Sequence, residues 1–99
     1  MGTSGDQTIV DAERGVEYDA AKDAWTINER AISLAYAARV WDADIGAVTL
    51  PGKPKDGELR FKTIGLIDDF PLAVIWTQRG DNRRIISARK ASRKERALL

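Results

Sequence analysis

The 99-residue chain contains no cysteine and no histidine. Without cysteine, disulfides, thiolate metal sites and a thiol nucleophile are excluded. Without histidine, the usual general base near neutral pH and the commonest metal ligand are both missing, so catalysis must draw on Arg, Lys, Glu, Asp, Tyr or Ser. Long apolar runs are absent too. None exceeds the length of Leu72-Ala-Val-Ile-Trp76, which is far too short to span a bilayer. Met1-Gly-Thr-Ser-Gly-Asp6 has neither the basic nor the apolar region of a secretory signal. Asp6 also stands where a myristoylation pattern needs Ser or Thr. The expectation is a cytoplasmic protein without membrane attachment, cofactor or bound metal.

What is present fits one small core: 43% of the residues are apolar. Residues 1–15 read as an unstructured leader and residues 16–99 as a single domain. Net charge is +1, but it is unevenly spread. The stretch from Arg79 to Arg96 holds eight of the 16 basic residues and only two of the 15 acids, Asp81 and Glu95. A terminal block of +6 therefore faces a body of −5, an asymmetry that points to a polyanion, nucleic acid above all.

Periodicity gives the elements. Asp19 can cap a helix carrying Ala21, Ala24, Trp25 and Asn28 on one side, and Ser33 caps a second with Leu34, Ala37, Ala38 and Trp41. From Ala47 the period changes to strands: 47–50, 58–66 with strict alternation, 72–77 apolar on both faces, and 83–89. The expected fold is α+β: two N-terminal helices, a four-stranded, mainly antiparallel sheet and a C-terminal helix. Trp25, Trp41 and Trp76 read as core residues.

Alternation places Arg83, Ile85, Ser87 and Arg89 on one face of the last strand, and Arg84, Ile86 and Ala88 on the other. If Ile86 and Ala88 join Leu59 and Phe61 under the helices, then Arg83, Ser87 and Arg89 share the wet face with Arg60 and Lys62. A slip of one residue reverses this. Guanidinium groups on such a face can fork onto phosphoryl oxygens. Ser92-Arg-Lys-Glu95 is a capping box, and Arg93 and Lys94 stand in its first turn, where an anion would offset their unfavourable place on the helix dipole.

With these residues on view, the chain from about Tyr18 to Leu99 resembles the BrnT toxin family of bacterial type II toxin–antitoxin systems. The resemblance is carried by Tyr18-Asp-Ala-Ala-Lys22, Arg60-Phe-Lys-Thr-Ile-Gly65, Trp76-Thr-Gln-Arg-Gly-Asp81, and Arg84-Ile-Ile-Ser-Ala-Arg89 with Ala91 and Glu95-Arg96. It implies a fold similar to the RelE-type ribonuclease toxins and RNA cleavage as the toxic activity. It also implies a hetero-oligomer with a BrnA-like antitoxin, whose ribbon-helix-helix domain would carry the complex to its operator DNA and repress the operon. The chain departs from the family in two places: the family's Lys-His-Gly is Glu29-Arg30-Ala31 here, and Leu59 stands where an acid often precedes the sheet arginine.

Metal-free RNA cleavage needs activation of the 2′-hydroxyl, stabilisation of the phosphorane and protonation of the leaving 5′-oxygen. Arg60 and Arg89 are the candidates for the phosphorane, with Arg83 supporting. Glu95, Glu58, Lys90 and Lys94 are the acid–base candidates, and Lys62, Arg83, Ser87, Lys90 and Arg93 the RNA contacts. Two other functions compete: a silent corepressor that binds only its antitoxin, and a plain nucleic-acid-binding domain.

Overall fold

The computed structural model describes residues 7–99. The chain runs through β1 (Thr8–Asp11), β2 (Val16–Asp19), α1 (Ala20–Arg30), α2 (Leu34–Ala37) and a 3-10 turn (Ala38–Trp41). It continues through β3 (Val48–Pro51), β4 (Phe61–Ile67), β5 (Phe70–Arg79), β6 (Asn82–Lys90) and α3 (Arg93–Arg96). The strands form one six-stranded sheet in the order β1-β2-β6-β5-β4-β3. Neighbours are antiparallel except β2 and β6, which run parallel.

This corrects the expected four-stranded sheet behind two N-terminal helices. Two strands precede the first helix, and β2 enters the sheet beside the last strand, which makes the sheet mixed. Of the expected leader, residues 1–6 lie outside the described residues, whereas Thr8–Asp11 forms the edge strand β1. A turn with Gly15 at φ 64° returns the chain into β2, and the half-buried Glu17–Arg84 ion pair at 2.8 Å ties β2 to β6. The second helix is a single turn that tightens into 3-10 geometry rather than a helix of core length.

The three helix starts are capped as their sequences require. Asp19 accepts from the Lys22 amide, Ser33 accepts from the Tyr36 amide, and the Ser92–Glu95 capping box closes in both directions. Helix α1 ends at Ala31 in the left-handed region (φ 57°), a place that favours glycine. The helix leaves Trp25 45% exposed, with Lys22 and Arg30 over its ring, so Trp25 is not a core residue.

One face of the sheet is closed by α2 and the 3-10 turn. Leu34, Ala37, Ala38 and Val40 pack there on Val16, Tyr18, Ile67, Leu72, Val74, Ile85 and Ala88. Each fully buried branched side chain in this layer contributes about 1.5–3 kcal/mol. The turn comes so close to β4 that only glycine fits at 65. A Cβ there would stand 2.6 Å from Val40 Cγ2 and 2.9 Å from Ile45 Cγ2.

The opposite, open face is set by a β-bulge. Ile75 pairs with Ser87 but Trp76 pairs with Ile85, so Ile86 is the extra residue. Ile85 and Ala88, three apart, both point into the closed core, and the alternation read from the sequence reverses across Ile86. Arg83 therefore lies on the closed side with Ile85, while Ser87 and Arg89 stay on the open side. Leu59, expected under the helices, is 66% exposed.

Candidate active site

Three cations meet on the open face, with a fourth, Lys53, at its rim. Arg60, Lys62 and Arg89, with Ile75 as floor and Pro51, Gly52 and Lys53 as rim, line a cavity of about 320 Å³. The register explains the convergence: Lys62 lies across from Ile75, and Ile75 across from Ser87, two residues from Arg89. Lys62 and Arg89 come from strands of one sheet and Arg60 from the residue just before β4, and a sheet holds side chains more tightly than loops do.

Arg60 sits just before β4, and its backbone is pinned twice. The Gly52 amide donates to the Arg60 carbonyl at 2.7 Å, and the Thr77 hydroxyl donates to the Leu59 carbonyl at 2.7 Å. A Cβ at Gly52 would lie 3.0 Å from that same Arg60 carbonyl oxygen, so a side chain there would push the strand end away. The Arg60 side chain has one loose ion pair, to Glu58 at 3.6 Å, and its buried Nε–H has no acceptor. A buried N–H donor without a partner costs free energy until an acceptor arrives.

Arg89 and Lys62 are held by Glu95. Arg89 Nη1 and Nη2 donate to Glu95 Oε1 and Oε2 at 2.7 and 2.8 Å, Lys62 Nζ stands 2.7 Å from Oε2, and the Ser92 amide donates to Oε1 at 2.8 Å. Glu95 is only 6% exposed. The Arg89 fork, then Lys62 and the Ser92 amide, hold its carboxyl well below the usual carboxylate range, against the opposing effect of burial. A carboxylate so acidic is a weak proton acceptor and is never protonated near pH 7. Glu95 thus orients two cations and caps α3 at once.

The remaining sequence candidates are spread out. Ser87 faces the open side and accepts from Arg30 Nη1 at 3.2 Å, while the same nitrogen donates to the Ala88 carbonyl at 2.9 Å. Sequence reasoning gave Arg30 no such role; the only signal was its place where the resemblance has histidine. Lys90, Arg93 and Lys94 are exposed and outside the cavity lining, and α3 is a four-residue turn rather than an anion-binding helix. Arg83 is on the closed side, its guanidinium 4.8 Å from the Trp41 ring and 5.5 Å from the Trp76 ring. It does not join the open-face cations.

Among the described residues no cluster of three acidic side chains is placed to hold a metal ion, and no helix is long and apolar enough to cross a membrane. In a cavity lined by Arg60, Lys62 and Arg89, a phosphodiester would meet positive charge. A search of curated proteins returns no match to the chain. Against family profiles, residues 18–95 match one described as the ribonuclease toxin BrnT of type II toxin-antitoxin systems. That span contains every residue of the cavity and its Glu95 support, and the chain belongs to the BrnT family of ribonuclease toxins.

Proposed function

We propose that the protein cleaves RNA at the open-face cavity without a metal ion, in the cytoplasm, and that a BrnA-like ribbon-helix-helix antitoxin neutralises it and carries it to operator DNA. The observation that supports this reading best is Arg60, a cation with an unpartnered buried donor beside Lys62 and Arg89. The donor set suits direct contact with a phosphate: three cations, and one carboxylate turned away to hold two of them.

In this reading Arg60 and Lys62 bind the two non-bridging oxygens of the scissile phosphate, and the positive charge of Arg89 favours the phosphorane. The 2′-oxygen attacks phosphorus in line, the P–O5′ bond breaks, and Lys62 delivers a proton to the departing 5′-oxygen. The products are a 2′,3′-cyclic phosphate and a free 5′-hydroxyl. The proton of the 2′-hydroxyl goes to hydroxide, because Glu95 is too acidic to take it and Glu58, paired with Arg60 at 3.6 Å and Arg79 at 3.3 Å, lies outside the cavity lining. Glu95 is a positioning residue.

The test is induced expression of the chain in a bacterial host without its antitoxin. Growth arrest with loss of RNA is expected for the natural sequence, and neither for Arg60→Ala, with both proteins folded. Arrest that persists in Arg60→Ala removes Arg60 from the mechanism. A folded natural protein that causes no arrest leaves the silent corepressor as the better reading.

A further inference from the structure

The bulge at Ile86 sends Arg83 to the side of the sheet opposite the cleavage cavity, where it meets a second cavity of about 620 Å³. Asp11, Glu13 and Arg14 of the β1–β2 turn line it, with Ala38, Trp41, Asp42 and Ala43 beside the 3-10 turn, and Arg83 from β6. A volume in this range suits a small organic ligand.

The charges in this cavity are not all used. Arg14 is committed to Asp42 and, at 3.9 Å, to Asp11. Arg83 has no carboxylate within ion-pair distance among the described residues, although three carboxylates line the same space, and Glu13 has no cationic partner there either. Arg83 is instead stacked on Trp41, which stands edge-on to Trp76 with ring centroids 5.6 Å apart. A guanidinium held over an aromatic ring keeps its forked N–H donors for other acceptors, and Arg83 lines the cavity beside Trp41. Trp41 Nε1–H, also buried, has no acceptor.

A ligand for this site must therefore offer a pair of acceptors in one plane and donors to a carboxylate. Its buried part must also carry no negative charge, because three lining carboxylates outnumber two guanidiniums. Guanine meets all three conditions. O6 and N7 accept from a guanidinium fork, and N1–H with the exocyclic amine donates to a carboxylate. Adenine has a donor where O6 would be, and the pyrimidines lack the O6/N7 pair. We propose that the Trp41–Arg83–Glu13 cavity is a guanine-binding pocket, with O6 and N7 on Arg83 and the N1/N2 edge on Glu13. The proposal deepens the RNA-cleaving reading by giving the protein a base to select, but its test does not require cleavage.

The chain has three tryptophans, so its indole N–H groups give three NMR cross-peaks. Titration with guanosine, which carries no phosphate for the open-face cavity, should shift the Trp41 cross-peak saturably and leave exposed Trp25 in place. Adenosine, cytidine and uridine should bind about tenfold or more weakly. Arg83→Lys, which keeps the charge but loses the fork, and Glu13→Gln, at an exposed position, should each weaken guanosine by about tenfold, whereas Arg89→Ala should not. A non-cleavable 2′-O-methyl trinucleotide with a central guanine that binds more tightly than guanosine assigns the pocket to an RNA strand, and equal affinity assigns it to a free guanine nucleoside. The proposal is overturned if the Trp41 cross-peak does not move, if all four nucleosides move it equally, or if Arg83→Lys and Glu13→Gln bind guanosine as the natural chain does.

Discussion

Replacing Glu95 by glutamine removes one negative charge from a point where four hydrogen-bond donors converge, two from Arg89 and one each from Lys62 and Ser92. Breaking a buried ion pair typically costs about 3–5 kcal/mol, since the partner is left uncompensated. Here the Arg89 side chain is 39% exposed and can rehydrate, and glutamine still accepts one bond, which reduces the expected loss to about 2–3 kcal/mol at pH 7. The pH dependence is diagnostic. Glu95 in the folded protein is more acidic than in the unfolded chain, whose carboxyl titrates near about 4.3. Its stabilisation is therefore complete above that value and declines as the pH falls below it toward the lower folded pKa. Glutamine has no such dependence, so the stability gap between natural chain and variant should shrink by roughly 1.5–2 kcal/mol between pH 7 and pH 3. Urea unfolding followed by circular dichroism at the two pH values measures this. A gap that is unchanged between them, or below about 0.5 kcal/mol at pH 7, would refute the view that Glu95 is held as an anion by Arg89 and Lys62.

Further expectations follow from single sites. Gly65→Ala puts a methyl group against Val40 and Ile45 and should lose about 1–3 kcal/mol by chemical denaturation; an unchanged midpoint would mean the 3-10 turn moves aside freely. Ala31→Gly relieves a left-handed alanine at the end of α1, where the resemblance has glycine, and should gain about 0.5–1 kcal/mol in the same assay. With hydroxide as the base, the cleavage rate should rise about tenfold per pH unit from pH 6 to 8, whereas water as the base would leave it flat. A bell with an acidic limb near pH 5 would instead indicate a carboxylate base.

Much of the candidate site could be read from the sequence because it depends on short-range patterns. Strict alternation in 58–66 put Arg60 and Lys62 on one face, and the Ser92–Glu95 box fixed where Glu95 sits. The strands β1 and β2 were missed because each is four residues long and gains its stability from pairing, β2 with a strand some 65 residues away in the chain. No local window contains that pairing. The bulge at Ile86 was equally hidden: nothing in Arg84-Ile-Ile-Ser-Ala-Arg89 marks which isoleucine is the extra one. The choice is made by Trp76 and Ile75 on the neighbouring strand. It moved Arg83 from the expected phosphate-binding set to a tryptophan stack on the other face. Trp25 was misread because helical spacing identifies a shared side of α1 without saying whether anything covers it.

In the proposed function the open-face cations cleave RNA directly. The most direct test is incubation of the purified chain with RNA in excess EDTA, alongside Arg60→Ala of matched thermal stability, with the product ends identified. Cleavage by the natural chain to 2′,3′-cyclic phosphate and 5′-hydroxyl ends is expected, with a loss of about 10²–10³-fold in Arg60→Ala. Cleavage that needs an added metal ion, or an Arg60→Ala protein as fast as the natural one, would contradict this reading.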